Sequence, residues 1–512
     1  MRQAGRAHRQ RPRPAAARLD RPARAGGQAR RARRRAHRSA RVRGRRRSSG
    51  CPQGPQGLAW LPRRLRLRPQ RRRGRPQPGR RRLARLVAEA PRKLSGEERS
   101  PGRRRALPAP PRRARSVARG RGAARGRAAS AGTVGLQSAP VSLPLDIAIA
   151  GTRGVPARYS GFETFAEELG RRLVDRGHRV TVYGRVPYVG PRPRRHLGMR
   201  VVPIPAPRHK YLESPAHTLL SAFAALRERH DVVLVCSGAN SFALPLFRLG
   251  GARVAINVDG IDRLRRKWGP LGRLWLRVGE PMALLFADRA IADADFLACY
   301  YRERYGGRVE CIAYGGDRPP PQSDAVLARL GLVAGEYVLQ VGRLVPENNA
   351  LLVVRAFARV RTDIKLVVLG DSPYCTDYKR AVHAAAGPRV LLPGGVYGDD
   401  YLALLRGAAC FVAAGEVGGT HPSLVEAMTH GPAVVAHDVP EHREVLGDAA
   451  LYYASGDEAG LAACIERVLG APALAERLRE AARARARERY RWEQVVERYE
   501  ALFADMCREA RP

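Results

Sequence analysis

The chain has 512 residues and a formal net charge of +48, and its length alone admits about three domains of ~150 residues. The charge is unevenly placed: residues 1–140 hold 44 Lys and Arg against four acids, Asp20, Glu89, Glu97 and Glu98, a net of +40, which leaves +8 for the rest. That remainder is an ordinary, mildly basic globular sequence, and its charge gives no ground for reading it as a nucleic-acid-binding domain.

Residues 1–140 contain one aromatic residue, Trp60, one lysine, Lys93, and neither isoleucine nor asparagine. Such a composition buries too little apolar surface to offset its ordering entropy, so a disordered extension is expected. Three readings fit it: a polycationic arm for nucleic acid or anionic membrane, a plain unstructured tail, and translation from a start site placed too far upstream. Arg, Ala, Pro and Gly are what GC-rich codons yield, and basic arms usually mix Lys with Arg, which favours the third. The eight cysteines are scattered without a CxxC pair or metal-ligand spacing, as buried or inert thiols of a reducing compartment would be. No apolar run approaches ~18–20 residues, and the N-terminus lacks the apolar core of a signal peptide. A cytoplasmic location is expected.

From Leu145 the sequence changes to short β-branched runs alternating with amphipathic helical patterns. Strands are predicted at Leu145–Ala150, Val180–Tyr183, Val201–Ile204, Val232–Val235 and Val254–Val258. Between the first two, Glu163–Arg176 places Phe165, Leu169 and Leu173 on one helix face, with Gly177 as its stop signal. The proline-rich Arg318–Gln322 reads as a linker. A second series follows at Tyr337–Val341, Lys365–Leu369, Arg389–Leu392, Cys410–Ala413 and Ala433–Ala436, and the stretch from Ala473 to about Cys507 reads as helical throughout. This alternation predicts an α/β protein with two parallel-sheet, Rossmann-like domains, 143–320 and 321–485, facing across a cleft, with a C-terminal helix at 486–507.

Four loops carry candidate chemistry. After the first strand, Gly151-Thr-Arg-Gly-Val-Pro156 runs into a helix start, where glycines permit close backbone approach and free N–H groups favour anions; a simple tight turn is the other reading. After the first strand of the second domain, Arg343 would hold a diphosphate bidentately, or pair with Glu347 on the surface. In the Gly415–Glu426 strand-to-helix loop, Pro422 suits a first helical turn whose amides receive phosphate oxygens. There Glu426 either accepts from ribose hydroxyls or merely closes a Ser423-x-x-Glu426 capping box. Finally, Asp259 ends a strand, and the basic, aromatic stretch after it (Arg263 to Arg277, with Lys267, Trp268 and Trp275) suits either an anionic membrane surface or a solvated helix face with its tryptophans in the core.

Taken together these segments are specific. The Gly151–Phe165 loop and helix, Lys210-Tyr-Leu with His217-Thr-Leu-Leu, Asn257-Val-Asp-Gly with Lys267-Trp-Gly, Ala287-Asp-Arg with Ala292-Asp, Tyr314-Gly-Gly-Asp317, Gly342-Arg to Asn349, and Glu416-Val-Gly-Gly-Thr to Glu426-Ala-Met resemble the family 4 retaining glycosyltransferases. These have the GT-B fold, and the bacterial rhamnosyltransferase-like subgroup of polysaccharide biosynthesis is the most similar. The resemblance spans about residues 143–507. It implies a nucleotide-diphosphate sugar bound mainly by the second domain, with no cofactor and no metal, and a saccharide or lipid-diphosphate-linked acceptor. From the basic, aromatic stretch after Asp259, peripheral contact with the inner membrane surface is a further expectation, and no specific nucleic-acid partner is expected.

Carried over by residue, Arg343 would hold the diphosphate, Glu426 the ribose, and Glu416 the donor sugar. Gly418, Gly419, Thr420 and His421 would face sugar and phosphate, with Tyr397 bordering the base and Gly151, Gly154 and Asn348 completing the donor side. Arg153, Tyr159, Phe162, Glu163, His217 and Lys267 would lie on the acceptor side, and Asp259, Glu416 and Arg343 would be the catalytic set. The chain departs from the wider family in four places. Asn348 stands where a phosphate-binding lysine is usual, and nine residues rather than seven separate Glu416 from Glu426. Asp259 stands in place of a histidine, and His421 in place of an asparagine common in the subgroup. A GT-B sugar-nucleotide epimerase, a non-catalytic sugar-binding protein and a nucleic-acid binder using the basic arm are the alternative readings.

Overall fold

A computed structural model describes residues 143–509; the extension expected over 1–140 lies outside the described residues. Two parallel sheets organise the chain. The first comprises β1 (Asp146–Ala150), β2 (Arg179–Arg185), β3 (Arg194–His196), β4 (Met199–Ile204), β5 (Val232–Cys236), β6 (Arg253–Val258), β7 (Arg289–Ala292) and β8 (Val309–Cys311). Their order is β3-β4-β2-β1-β5-β6-β7-β8, parallel except for the β3–β4 edge pair. The second comprises β9 (Tyr337–Val341), β10 (Lys365–Leu369), β11 (Val390–Gly394), β12 (Cys410–Ala413), β13 (Ala433–His437) and β14 (Ala450–Tyr453), in the order β11-β10-β9-β12-β13-β14. The two sheets share one logic. The strands stay parallel, but the order in which they are added reverses between β1 and β5 in the first sheet and between β9 and β12 in the second, and each switch point opens a crevice at the strands' carboxyl ends.

Burial explains the strands. Ile147 and Ile149 of β1 enter one apolar cluster and Ala148 and Ala150 the opposite one, so both faces of the sheet are covered, as parallel sheets require. The Gly161–Asp175 helix buries Phe165, Ala166, Leu169 and Leu173 on the first of these faces, and Gly177, at φ +92°, turns the chain out of it.

The helix expected to run unbroken from Ala473 to Cys507 is two helices, Pro472–Arg489 and Trp492–Arg508. The first stays with the second sheet, Ala482 and Ala486 packing beside Val434 and Ala436. The second returns to the first sheet, where Trp492, Tyr499 and Phe503 join Ile147 and Phe165. The return passes beside the outward crossing: the Gly316 amide donates to the Tyr490 carbonyl at 2.8 Å, and the Trp492 amide donates to Asp317 Oδ1 at 2.5 Å. The Tyr314-Gly-Gly-Asp317 motif belongs to this joint, since a Cβ on Gly315 would lie 2.5 Å from Trp492 Cγ. Trp492 is fully buried, so Trp492→Ala should destabilise the first domain by about 3–5 kcal/mol, measured by urea unfolding; a loss below about 1 kcal/mol would contradict this packing account.

Candidate active site

The carboxyl ends of both sheets open onto one cavity of about 1130 Å³, lined by the loops after β1, β5, β6 and β7 on one side and after β9, β10 and β12 on the other. Gly151 lines it and Gly154 does not. Both have positive φ, yet the missing side chains face protein. A Cβ on Gly151 would lie 2.5 Å from the Cys236 carbonyl oxygen, and one on Gly154 2.7 Å from Gly184 Cα. These glycines therefore seat the loop on neighbouring strands, and the expectation that Gly154 meets a ligand is corrected. Glu163 closes the same loop, accepting from the Arg153 amide at 2.7 Å and from Ser160 Oγ at 2.5 Å.

Arg153, Tyr159 and Phe162 line the cavity. The Arg153 guanidinium stacks 3.6 Å from the Tyr159 ring centroid and pairs with Glu213 at 3.3 Å. Glu213 also pairs with buried Arg185 at 2.6 Å and accepts from the Tyr374 hydroxyl of the second domain at 2.6 Å. Burial alone would raise its carboxyl, but Arg153, Tyr374 and Arg185 hold it below the usual range. His217 is not in the cavity. It lies fully buried within the first domain, where burial and then the Arg185 charge bring its imidazole down to about 3. The His-Thr-Leu-Leu segment thus supplies a neutral core histidine, and His217 cannot meet an acceptor there.

Asp259 follows β6 and lines the cavity, its Oδ2 3.9 Å from Arg265 Nη2 and its Oδ1 without a hydrogen-bond partner. Burial and then the neighbouring Asp262 raise its carboxyl to about 6, against the pull of Arg265 and Arg343. Asp293, after β7, also lines the wall with its Oδ1 lacking a hydrogen-bond partner, and burial followed by the Asp259 charge pushes its carboxyl well above the usual carboxylate range. In the sequence Asp293 is marked only by the Ala292-Asp pair of the resemblance and by its position directly after a parallel strand. Lys267 also lines the cavity. Burial, with Arg343 and Arg265 close by, brings its ammonium down to about 7, and its nearest acid is fully buried Glu347 at 3.9 Å.

That pairing settles one alternative. Glu347 faces Lys267, and Arg343 lines the cavity without a hydrogen bond or ion pair to any described side chain. Asn348 lines the cavity too, but its amide closes the loop, donating to the Arg343 carbonyl at 2.9 Å. It does not replace the missing lysine's charge.

Glu416 is placed otherwise than expected. It does not line the cavity; its Oε1 accepts from Arg266 of the first domain at 2.9 Å and from Asn349 Nδ2 at 3.0 Å, making an interdomain clasp. Glu426 does line it, accepting from the Tyr401 hydroxyl at 2.6 Å and pairing with Arg318 of the linker at 3.4 Å. Burial raises its carboxyl despite both partners. No capping box forms. His421 holds the N-cap position of the Pro422–His430 helix without a side-chain capping bond, which leaves Ser423 inside the first turn, and Glu426 accepts from Tyr401 rather than from its own helix start.

The glycine-rich loop wraps His421. A Cβ on Gly418 would overlap the imidazole, and one on Gly415 would lie 2.9 Å from its Cε1. Burial and then the Arg265 charge bring His421 down to about 4, so it is neutral near pH 7, with His442 Nε2 3.4 Å from its Nδ1. The loop also meets the first domain: Thr420 Oγ1 donates to the Asp293 carbonyl at 2.5 Å, and a Cβ on Gly419 would overlap the Asp293 carboxylate. The Gly418 backbone hydrogen-bonds Glu441, whose carboxyl burial raises to about 7. Tyr397, exposed, also lines the second-domain wall. Among the described residues, no group of three or more His, Cys, Asp or Glu is placed to hold a metal ion.

Two facing Rossmann-like domains with a shared cleft and a C-terminal helix crossing back to the first define a GT-B glycosyltransferase fold. Residues 160–315 match the family described as Glycosyl transferase 4-like domain, and residues 335–471 match Glycosyl transferases group 1. The chain thus carries both domains of the family 4 glycosyltransferases. It is 30% identical over 157 residues to the alpha-monoglucosyldiacylglycerol synthase of Streptococcus pneumoniae, covering 29% of this chain and 35% of that protein. It is 28% identical to the lipopolysaccharide 1,2-N-acetylglucosaminetransferase of Salmonella typhimurium, covering 41% and 61%. Both alignments span less than two thirds of the relative. Among solved structures, the sucrose-phosphate synthase of Thermosynechococcus elongatus superposes with a TM-score of 0.62 at 19% identity, covering 71% of this chain and 99% of that one. Anabaena HepE in complex with UDP and glucose gives 0.56 at 17%, covering 70% and 100%. These two likenesses concern the fold.

Proposed function

We propose that the cleft transfers a hexosyl unit from a nucleoside-diphosphate sugar to a saccharide or lipid-diphosphate-linked saccharide acceptor, with retention at the anomeric carbon. The observation that carries this is Arg343, a guanidinium in the cavity wall without an ion-pairing partner, beside the amide-rich start of the Pro422–His430 helix. Both supply fixed positive potential where a diphosphate gains charge on leaving. Glu426 receives the ribose hydroxyls, and Arg153, Tyr159, Phe162 and Lys267 border the acceptor. The acceptor oxygen bonds to the anomeric carbon on the face from which the diphosphate departs, and its proton passes to a departing phosphate oxygen. The positive charge in this reading comes from the protein, and no metal takes part.

Asp259 is assigned to orient the acceptor or sugar hydroxyl, which requires its ionised form. Its raised value of about 6 keeps it neutral to higher pH than an ordinary aspartate. As pH falls below about 6, kcat/KM should therefore drop about tenfold per unit. Asp259→Asn should remove that limb from the pH–rate profile, and an unchanged limb in the variant would refute the assignment.

Deoxythymidine-diphosphate-rhamnose is the first donor to try, on the likeness to the rhamnosyltransferase-like subgroup, with surface polysaccharide synthesis as the corresponding role. The similar proteins are named for glucosyl and N-acetylglucosaminyl products, so uridine- and guanosine-diphosphate sugars belong in the same panel. Purified protein is titrated with each donor, and binding and released nucleoside diphosphate are read. Binding and turnover of one donor support the reading; no binding by any of them overturns it.

A further inference from the structure

A second cavity, of about 420 Å³, lies at the far end of the Pro422–His430 helix. The start of that helix lines the cleft, whereas its last residues, Thr429 and His430, line this recess together with Arg318, Arg406, Gly431 and Arg483. The three arginines come from separate segments: Arg318 from the linker, Arg406 from the end of the Gly398–Arg406 helix, and Arg483 from the Pro472–Arg489 helix. No Asp or Glu lines the recess, and Arg318 is its one residue shared with the cleft.

The carbonyl end of a helix draws cations by itself. Arg485 shows that ordinary use, donating to the Val445 and Glu444 carbonyls at 2.6 and 2.7 Å at the end of the Pro440–Leu446 helix. Arg406 does not: it has neither a hydrogen bond nor an ion pair with a described residue. Arg483 Nη2 pairs with Glu476 at 3.0 Å, but its buried Nε has no partner, and a Cβ on Gly431 would lie 3.7 Å from that Nε. His430 Nε2 is also buried and unpartnered. Burial, then the Arg406 and Arg318 charges, bring the His430 imidazole down to about 4, so it is neutral near pH 7.

Three guanidiniums gathered without an acid repel one another, and a bound anion offsets that repulsion. A carboxylate has two oxygens and matches a single guanidinium fork. A phosphate dianion offers oxygens and charge to several forks at once.

We propose that this recess binds a phosphate group, as inorganic phosphate or a small phosphomonoester, at a site separate from the donor's diphosphate. Arg406, Arg483 and His430 hold it, with Arg318 at the border with the cleft. The site does not depend on the transfer reading, since the first three residues lie outside the cleft.

The test follows the His430 ring signal by NMR in the full chain labelled with ring-13C histidine, the signal being the one lost in His430→Gln. Inorganic phosphate, added at pH 7 and constant ionic strength, should shift it saturably toward the protonated form. The half-saturating concentration should rise at least ~10-fold in Arg406→Gln and in Arg483→Gln, the scale of one charge-assisted hydrogen bond, and stay within about twofold in Arg343→Ala. Residues 1–140 are common to all variants, so the anion they collect is the same in each, and melting temperatures verify folding. A second arm uses a hexose phosphate: tighter binding than inorganic phosphate makes the ligand a phosphomonoester, and weaker binding makes it free phosphate, both in support. No shift overturns the proposal, as does an equal shift with acetate, or half-saturation unchanged in both Arg406→Gln and Arg483→Gln. A shift abolished by Arg343→Ala alone assigns the phosphate to the donor cleft and also overturns it. No sugar donor is present, so failure here leaves the transfer reading standing, and a failed donor panel leaves this site standing.

Discussion

Replacing Arg343 with alanine is expected to lower transfer by ~10²–10³-fold, the usual cost of removing one preorganised group that stabilises transition-state charge. The size follows from what surrounds it. Among the described second-domain residues that line the cavity, Arg343 is the one Arg or Lys. Asn348 occupies the position where the wider family has a lysine and uses its amide to close the loop. His421 is neutral near pH 7 because burial brings it down to about 4. No second cation on that side takes over. The fold should survive, because the loop is held through backbone atoms: the Val345 amide and Asn348 Nδ2 both donate to the Arg343 carbonyl, at 2.7 and 2.9 Å. Arg343→Lys should restore only part of the rate, since an ammonium keeps the charge but loses the bidentate fork. The measurement is kcat/KM with the donor found in the panel, beside the melting temperature. Near-normal turnover in Arg343→Ala would remove this residue from the diphosphate site.

Gly419→Ala should lose transfer by ~10²-fold, the scale on which misplacing reacting groups by about 1 Å acts, while nucleotide binding changes little. Gly419 sits where the second domain's loop meets Asp293 of the first, and an added Cβ would overlap that carboxylate. Relief requires either a shift of a fully buried side chain or separation of the two domains at this contact. Thr420, anchored to the Asp293 carbonyl at 2.5 Å, would be carried with it. Small-angle scattering with bound nucleotide should then show a more open pair of domains than in the wild type. A variant that closes and turns over normally would mean that the Gly419–Asp293 contact does not govern the working arrangement.

Much of the architecture was legible in local pattern. Five parallel strands of each domain are readable as short β-branched runs because strands covered on both faces leave no polar alternation. β9, β10 and β12 fall on their predicted residues. Arg343 and Glu426 were legible as cavity residues because loops at the carboxyl ends of parallel strands open into the crevice. The helix break at Tyr490 was not, since nothing in an Arg- and Ala-rich run tells that the chain must turn there to reach the other domain.

The sequence by itself determined where chemistry is concentrated: glycine-rich loops after strands, an arginine on one of them, and a proline-started helix. Only the tertiary structure decided which of those residues face the cleft. Gly154 and His217 turn inward, Glu416 is taken up by Arg266 from the other domain, and Asp293 enters the wall unannounced. The difference is physical. Hydrophobic periodicity and turn chemistry act over a few residues, whereas a side chain's direction at a domain interface depends on partners brought within hydrogen-bond reach from more than a hundred residues away.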